Sequence, residues 1–350
     1  MGAPNVSVII TNFNYAGFLK RSIGSALRQN YGGHIEIVVV DDKSTDNSRE
    51  VIASFGDQII GVLKDVNGGH GGAFNSGFAA SKGDLVLFLD ADDYIYPDAI
   101  STIVAAMRPE AAQYQYRLDL VDGQGTKLET YPPPETRMQD GDVRRELGAR
   151  GRFATTVTSG LAFPRWCLEQ ILPMPPEDFR QGGDGFLVTV APLYGDVITV
   201  PGVLGAYCQH GGNHSQFELA VAKRARWRLF HDEMRFKALR LHASKLDIPI
   251  AESPGLADVA HLTERLASLQ LEPKLHPYKD DTAAKLSRFG LVALREAPLS
   301  PKRRQIMLVW WWVVTHVPRS VAGSIITWTL AAASRPAIIK RTAQLLRRLG

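Results

Sequence analysis

The sequence predicts an α/β fold: a mixed, mainly parallel sheet flanked by helices, followed by a helical C-terminal extension. Four short apolar runs in the first 90 residues, VSVIIT, IEIVVV, IIGVL and LVLFL, alternate with segments whose apolar residues recur at helical spacing. Strands and helices in alternation, joined by short loops, fold as right-handed βαβ units on a parallel sheet. The runs are dominated by Val, Ile and Leu, as strands covered on both faces require. Polar residues collect just beyond their ends, in TNFN, DDKSTD and DADD, where ligands of such sheets bind.

Taken in order, Val6 to Thr11 is the first strand, followed by the turn Asn12 to Gly17 and a helix over about Phe18 to Gln29. Ile35 to Val40 is the second strand; Ser44 or Asp46 in the loop after it can cap a helix carrying Val51, Ile52 and Phe55. Ile59 to Leu63 is the third, and the glycine-rich run Asn67 to Gly72 opens a helix reaching about Ala80. Leu85 to Leu89 is the fourth. A helix near Pro97 to Met107, a strand over Tyr114 to Val121 and a hairpin turn at Asp122 to Gly125 follow. Thr155 to Phe163 can hold a mixed strand, Gln181 to Leu193 a helix and Val197 to Tyr207 another strand. A long helix rich in Arg and Lys, Phe217 to Leu246, leaves this core, and Ala251 to Leu299 reads as helical.

A chain of 350 residues can bury a large core, as one big domain or a domain with an appendage. Its two cysteines, Cys167 and Cys208, are too few for a disulfide framework, which points to a reducing cytosol. MGAPNVSVII leads straight into a strand and lacks the layout of a signal peptide. The net charge of +4 is uneven: nine Lys or Arg and no acid lie from Pro301 to Gly350, leaving −5 for the first 300 residues.

The chemistry centres on DLVLFLDADD. Asp90, Asp92 and Asp93 follow a strand with no polar residue in it, and three such carboxylates repel one another unless solvated or neutralised. Mg²⁺ or Mn²⁺ neutralises them well, taking one or two carboxylates and filling its other positions with water and phosphate oxygens. Alternation along an extended chain puts Asp90 and Asp92 on one side. A solvated acidic turn is the plainer alternative.

VSVIITNFN, VVVDDKSTDNS, NGGHGGAFNSG, GDLVLFLDADD and YCQHGGNHS, in this order and spacing, resemble the inverting family 2 glycosyltransferases with the GT-A fold, over Val6 to Ser215 or about 60% of the chain. The resemblance implies a nucleotide site of Thr11, Phe13, Asn14, Asp42, Gly71, Asn75, Asp90 and Ala91, in which Asp42 bonds the base and Thr11 and Phe13 cradle it. It implies that the amides of Asn67 to Gly72 lie close to the diphosphate, where a helix start favours anionic oxygens. Asp92 becomes the main metal ligand, with His210 completing the shell and His214 a weaker candidate. Asp184 takes the position of the general base, with Glu177 and Asp178 as rivals; Gly183 stands where relatives have Glu. Two departures bear on phosphate contacts: many relatives carry a basic residue near Phe74, and Arg where Cys208 or Gln209 stands. The domains then read as a catalytic domain over 1–216, a helical extension over 217–300 and a basic, Trp-rich tail over 301–350.

In the tail, Ile306 to Val317 and Val321 to Ala333 are apolar segments split by Pro318-Arg319-Ser320. Each is shorter than the roughly 18 residues of a spanning helix. Trp310, Trp311, Trp312 and Trp328, flanked by basic clusters, fit helices lying on an anionic bilayer; a helical subdomain packed on the core is the alternative. The expectation is a metal-dependent inverting glycosyltransferase using Mn²⁺ or Mg²⁺ and a nucleotide-diphosphate sugar, most readily a UDP-sugar. Its acceptor is lipid-linked or a polysaccharide, its place the inner face of the cytoplasmic membrane as a peripheral protein, and nucleic acid is not a partner. A nucleotidyltransferase fits less well, because TNFNYAG lacks a basic glycine-rich loop. A non-catalytic sugar- or nucleotide-binding scaffold stays open if Asp184 is not a base. For a NAD-dependent oxidoreductase the dinucleotide fingerprint is missing.

Overall fold

Val and Ile at consecutive positions put apolar side chains on both faces of the first strand, so it must lie inside a sheet covered on both sides. The computed structural model, which describes residues 2–210, 221–297 and 299–331, places it there. Its strands are β1 (Val6–Asn12), β2 (Ile35–Asp41), β3 (Ile60–Leu63), β4 (Leu85–Asp90), β5 (Tyr94–Ile95), β6 (Ala111–Asp122), β7 (Lys127–Tyr131), β8 (Leu161–Pro164) and β9 (Asp196–Gln209). They form one sheet in the order β3-β2-β1-β4-β8-β6-β9-β5, with β7 on β6. β3, β2, β1 and β4 run parallel; β8 is antiparallel to both its neighbours, and β9 pairs parallel with β6.

The helices are α1 (Ala16–Leu27), α2 (Ser48–Ala53), α3 (Gly69–Ala80), α4 (Ala99–Ala105), α5 (Arg144–Arg150), α6 (Arg165–Ile171), α7 (Gly183–Val190), α8 (Val221–Lys245), α9 (Val259–Leu271), α10 (Ala283–Glu296), α11 (Pro301–His316) and α12 (Arg319–Leu330). The chain divides into two compact units: Met1–Gly148, Arg152–His210 and Met234–Ile250 form the first, and Ala149–Gly151, Gly211–Glu233 and Ala251–Gly350 the second.

In the first unit, Val6, Val8 and Ile10 of β1 pack with Leu19 and Ile23 of α1 and Ile100 and Ile103 of α4. Ile9, on the opposite face, joins Phe74 of α3, Phe88 of β4 and Phe186 and Leu187 of α7. The neighbouring parallel strands bring Thr11 beside Asp90 and Asn12 beside Asp41, so the polar ends of β1, β2 and β4 lie at one edge. Against the expectation from alternation, the chain leaves the extended conformation after Asp90 and turns, Asp93 N–H donating to the Asp90 carbonyl at 3.0 Å. Asp90 and Asp92 therefore find different partners.

The second unit has its own core of Leu262, Leu266, Leu286, Leu294, Trp311, Val314 and Ile326. Gly290 makes room for Trp311, since a Cβ there would lie 2.8 Å from the indole ring. The tail helices thus pack on other helices through one face, and no helix among the described residues is long and apolar enough to cross a membrane. The tail beyond residue 331, residue 298 and the segment 211–220, which includes His214 and the expected helix start at Phe217, lie outside the described residues.

Close approach of α3 to the sheet fixes where the site loops begin. A Cβ on Gly77 would come 2.3 Å from Ile9 Cγ2 and 3.1 Å from Val40 Cγ2. Helix propensity favours Ala over Gly by about 1 kcal/mol, whereas overpacking a core costs about 1–3 kcal/mol. Gly77→Ala is therefore expected to lose about 1–2 kcal/mol of stability in urea denaturation, and an increase would show that α3 can move away from β1.

Candidate active site

β4 carries three aspartates to the sheet edge, and the surrounding loops send each a different way. Asp90 N–H donates to Ser159 Oγ at 3.1 Å, and the Asp90 carboxylate takes Thr11 Oγ1 at 3.4 Å and faces His70 Nε2 at 3.3 Å. Asp92 Oδ2 lies 3.0 Å from His210 Nε2. Asp93 turns inward and is fully buried, accepting from Ser159 Oγ at 2.5 Å and from Cys208 N–H at 2.8 Å.

Burial, then the Asp90 charge, pushes the Asp92 carboxyl up to about 6, His210 working against both. Asp93 is raised well above the usual carboxylate range by burial and by Asp92 and Asp90. Tyr15 is raised by burial and the same three carboxylates. His210, just past β9, is held by stacking on Phe18, ring centroids 4.5 Å apart, and by the edge of Tyr15 at 5.5 Å. Arg21 reaches in from α1: a guanidinium nitrogen donates to the Asp92 carbonyl at 3.1 Å and approaches Cys208 Sγ at 3.3 Å. A cation therefore stands beside Cys208 although the sequence places none there.

Among the described residues no three His, Cys, Asp or Glu side chains converge as a closed metal site. Asp92 and His210 fit a different kind of ion. Two protein ligands beside excess negative charge suit Mg²⁺ or Mn²⁺ that takes its remaining ligands from water and a diphosphate.

The leading amides of the glycine-rich loop meet the chain's own groups. Gly68 and Gly69 N–H donate to the Asp42 carboxylate at 2.9 and 2.7 Å, and Lys64 Nζ pairs with it at 2.5 Å. His70 and Gly71 N–H donate to the carbonyls of Arg180 and Phe179. The anion at the start of α3 is thus the chain's own Asp42, which suits a helix N-terminus. Asn75, expected at the nucleotide, bonds both ends of its amide to the Met174 backbone at 2.8 and 2.9 Å. Asn14, at φ 62°, accepts from Thr45 N–H at 2.7 Å and so pins the β1 loop to the β2 loop. Phe13 is 37% exposed and offers a ring face at that edge; Ala91 is buried, its N–H on the Thr11 carbonyl.

Asp184 sits in the first turn of α7, partly exposed and with no side-chain hydrogen bond among the described residues. Of its rivals, Asp178 is paired with Lys237 at 2.8 Å and Glu177 is exposed. His70 was not singled out in the sequence, nor were Lys64 and Arg21. His70 reads as a loop residue inside NGGHGG, and nothing local marks a helix arginine or a lysine after an edge strand as reaching the acidic strand ends.

Such a mainly parallel sheet, with acidic strand ends on one edge, has the architecture of a GT-A fold. Residues 7–155 match the family model described as glycosyl transferase family 2. The chain is 37% identical over 213 residues to an uncharacterised glycosyltransferase of a Nostoc species, covering 60% of this chain and 66% of that one. It is 36% identical over 120 residues to the succinoglycan biosynthesis protein ExoO of Rhizobium meliloti, covering 34% of each. It thus spans less than two-thirds of either relative. Among solved structures, the Pyrobaculum calidifontis mannosyltransferase PcManGT with GDP-Man and Mn²⁺ aligns at TM-score 0.51 and 17% identity, over 95% of this chain and 87% of that one. S. aureus TarS 1–349 with UDP-GlcNAc aligns at 0.51 and 16%, over 93% and 89%. These two likenesses concern the fold. Over residues 7–155 the chain thus matches the family 2 glycosyltransferases.

The raised Asp92 carboxyl has a measurable consequence. In the metal-free protein Asp92 keeps its proton to about pH 6, while the unfolded chain releases it near 3.9. The folded state then binds more protons between these values, so this group's contribution to stability falls as pH rises through that window. Asp92→Asn in EDTA is expected to gain melting temperature relative to wild type as pH rises from about 4 to about 6. A pH-independent difference would mean that Asp92 ionises normally.

Proposed function

We propose that this protein transfers a sugar, with inversion, from a nucleoside-diphosphate donor to an acceptor hydroxyl in surface-polysaccharide synthesis. The observation that supports the reading is that Asp184, a carboxylate with no hydrogen bond among the described residues, follows Gly183, whose N–H meets the His70 ring that also faces Asp90. Asp184 takes the proton of the acceptor hydroxyl as that oxygen attacks the anomeric carbon. Attack comes from the face opposite the diphosphate; the new C–O bond forms as the old one breaks, and its electron pair leaves on the diphosphate oxygen. Asp92 and His210 would hold Mn²⁺ or Mg²⁺, which, when bound, supplies charge to stabilise the departing diphosphate. Thr11, Phe13 and Asp42 line the base end. UDP is the first nucleotide to test, and residues 1–216 are the catalytic domain in this reading.

Calorimetry with UDP, GDP and dTDP, with and without Mn²⁺, tests the donor site. One nucleotide is expected to bind in a metal-dependent way and to lose that dependence in Asp92→Asn. Asp184→Asn is expected to bind the nucleotide within about threefold of wild type while losing turnover by about 10²-fold or more. Binding of none of the nucleotides would favour the scaffold alternative, and substantial turnover in Asp184→Asn would remove it as the base.

The acceptor we propose is lipid-linked or a growing polysaccharide, met at the inner face of the cytoplasmic membrane by a peripheral enzyme. The support is the outer face of α11. Ile306, Val309 and Trp312 are 60%, 63% and 59% exposed at helical spacing, and Lys302 and Arg303 are exposed at the same helix's start. Cations there work against the helix dipole, whereas an anionic lipid surface attracts them. The protein is expected to sediment with phosphatidylglycerol vesicles, less so with phosphatidylcholine or in high salt. The double variant Val309→Asp/Trp312→Ser should weaken this about tenfold or more; undiminished binding would move the contact elsewhere.

A further inference from the structure

His70 touches both halves of the site. Its Nδ1 lies 3.2 Å from Gly183 N–H, the first residue of α7, and its Nε2 lies 3.3 Å from Asp90 Oδ1. An Nδ1 that accepts an N–H has a lone pair there, so the ring proton sits on Nε2, on the side of Asp90. One neutral tautomer thus accepts from Gly183 and turns its N–H side to Asp90, at ion-pair distance and without an aligned hydrogen bond. The ring cannot swing away freely: its edge packs against Phe74 with centroids 4.2 Å apart, and Phe74 stacks on Phe88 of β4 at 4.2 Å.

The same packing accounts for the glycine at 183. A Cβ there would come 3.2 Å from Gly71 N and 3.3 Å from Phe74 Cδ2. His70 N–H and Gly71 N–H hold the carbonyls of Arg180 and Phe179, drawing the segment before α7 against the start of α3. Gly182, at φ 70°, makes the turn between them. A side chain at 183 would press on the approach that brings the Gly183 amide to His70.

We propose that His70 is a positioning residue: by bridging Gly183 N–H and Asp90 it fixes the helix carrying Asp184 relative to the donor-side carboxylate. This rests on the transfer reaction proposed above. Two conservative variants separate its two contacts. The Oδ1 of His70→Asn can replace Nδ1 and keep the link to Gly183; the longer amide of His70→Gln reaches toward Asp90 instead.

The test combines hydrogen exchange of the 182–186 backbone, calorimetry with UDP or GDP plus Mn²⁺, and slow hydrolysis of UDP- and GDP-sugars, in which water stands in for the acceptor. In His70→Ala and His70→Gln, Gly183 is expected to exchange about tenfold faster, and hydrolysis to slow by about 10- to 100-fold. Nucleotide affinity should stay within about threefold. His70→Asn, which keeps only the Gly183 link, should keep exchange within about threefold of wild type while its hydrolysis falls between those of wild type and His70→Ala. Wild-type exchange at Gly183 in all three variants overturns the link whatever the activity. A loss of hydrolysis as large in Asn as in Ala, or one explained wholly by weaker nucleotide binding, overturns the positioning role. A wild-type protein that binds no nucleotide sinks the transferase reading instead, and the exchange data then decide the His70 contact by themselves.

Discussion

Three carboxylates at the end of a buried strand cannot all face one way without a counter-charge. The loops around β4 resolve this by dispersal: Asp90 goes to Thr11 and His70, Asp92 to His210, and Asp93 inward to Ser159 and the Cys208 amide. Much of the unit's tertiary structure follows from these demands. β1 supplies Thr11, the loop ahead of β8 supplies Ser159, and β9 must end where Cys208 and His210 can meet the turn after β4. Ser159 donates to Asp93 and accepts from the Asp90 amide, so one hydroxyl ties two of the three aspartates. The dispersal is incomplete at Asp92, whose raised carboxyl marks where positive charge is wanted.

A second constraint comes from the start of α3. Its leading amides need acceptors, and the chain provides all of them internally. Asp42 takes two, and the carbonyls of Arg180 and Phe179 take two more. This ties the end of β2, the start of α3 and the segment before α7 into one piece, with Lys64 balancing the Asp42 charge. Asn75 adds a further clasp through Met174. Asp42, the glycine-rich run and Asn75 are joints that hold the loops together. The glycines serve close packing: at Gly69 a Cβ would lie 2.3 Å from the Arg180 carbonyl oxygen.

The helical unit obeys different physics. Trp311, Val314 and Ile326 fill a core, while Ile306, Val309 and Trp312 stay outside. A helix apolar on nearly every face has more hydrophobic surface than its own unit can cover. Several buried charges in this unit are paired: Asp232 with His261 at 2.9 Å, and Asp281 with both Arg265 and His276. Their partnership explains how so many charges fit among packed helices.

The sequence by itself determined the parallel half of the sheet, because apolar runs of strand length alternating with amphipathic helices admit few other arrangements. It also located the acidic edge, since three aspartates beyond a wholly apolar strand stand out without any alignment. The separation of Asp90 from Asp92 depended on the turn after β4, which periodicity cannot see. The roles of His70, Lys64 and Arg21 were invisible for the same reason: His70 and Lys64 meet carboxylates, and Arg21 a backbone carbonyl, at least 20 positions away in the chain. Whether Gly68 and Gly69 meet a phosphate or Asp42 was likewise undecidable from composition, because both are anions that a helix start accepts. Local pattern fixes the elements that neighbouring residues build; which polar group meets which is a matter of long-range packing, and only the tertiary structure decided it.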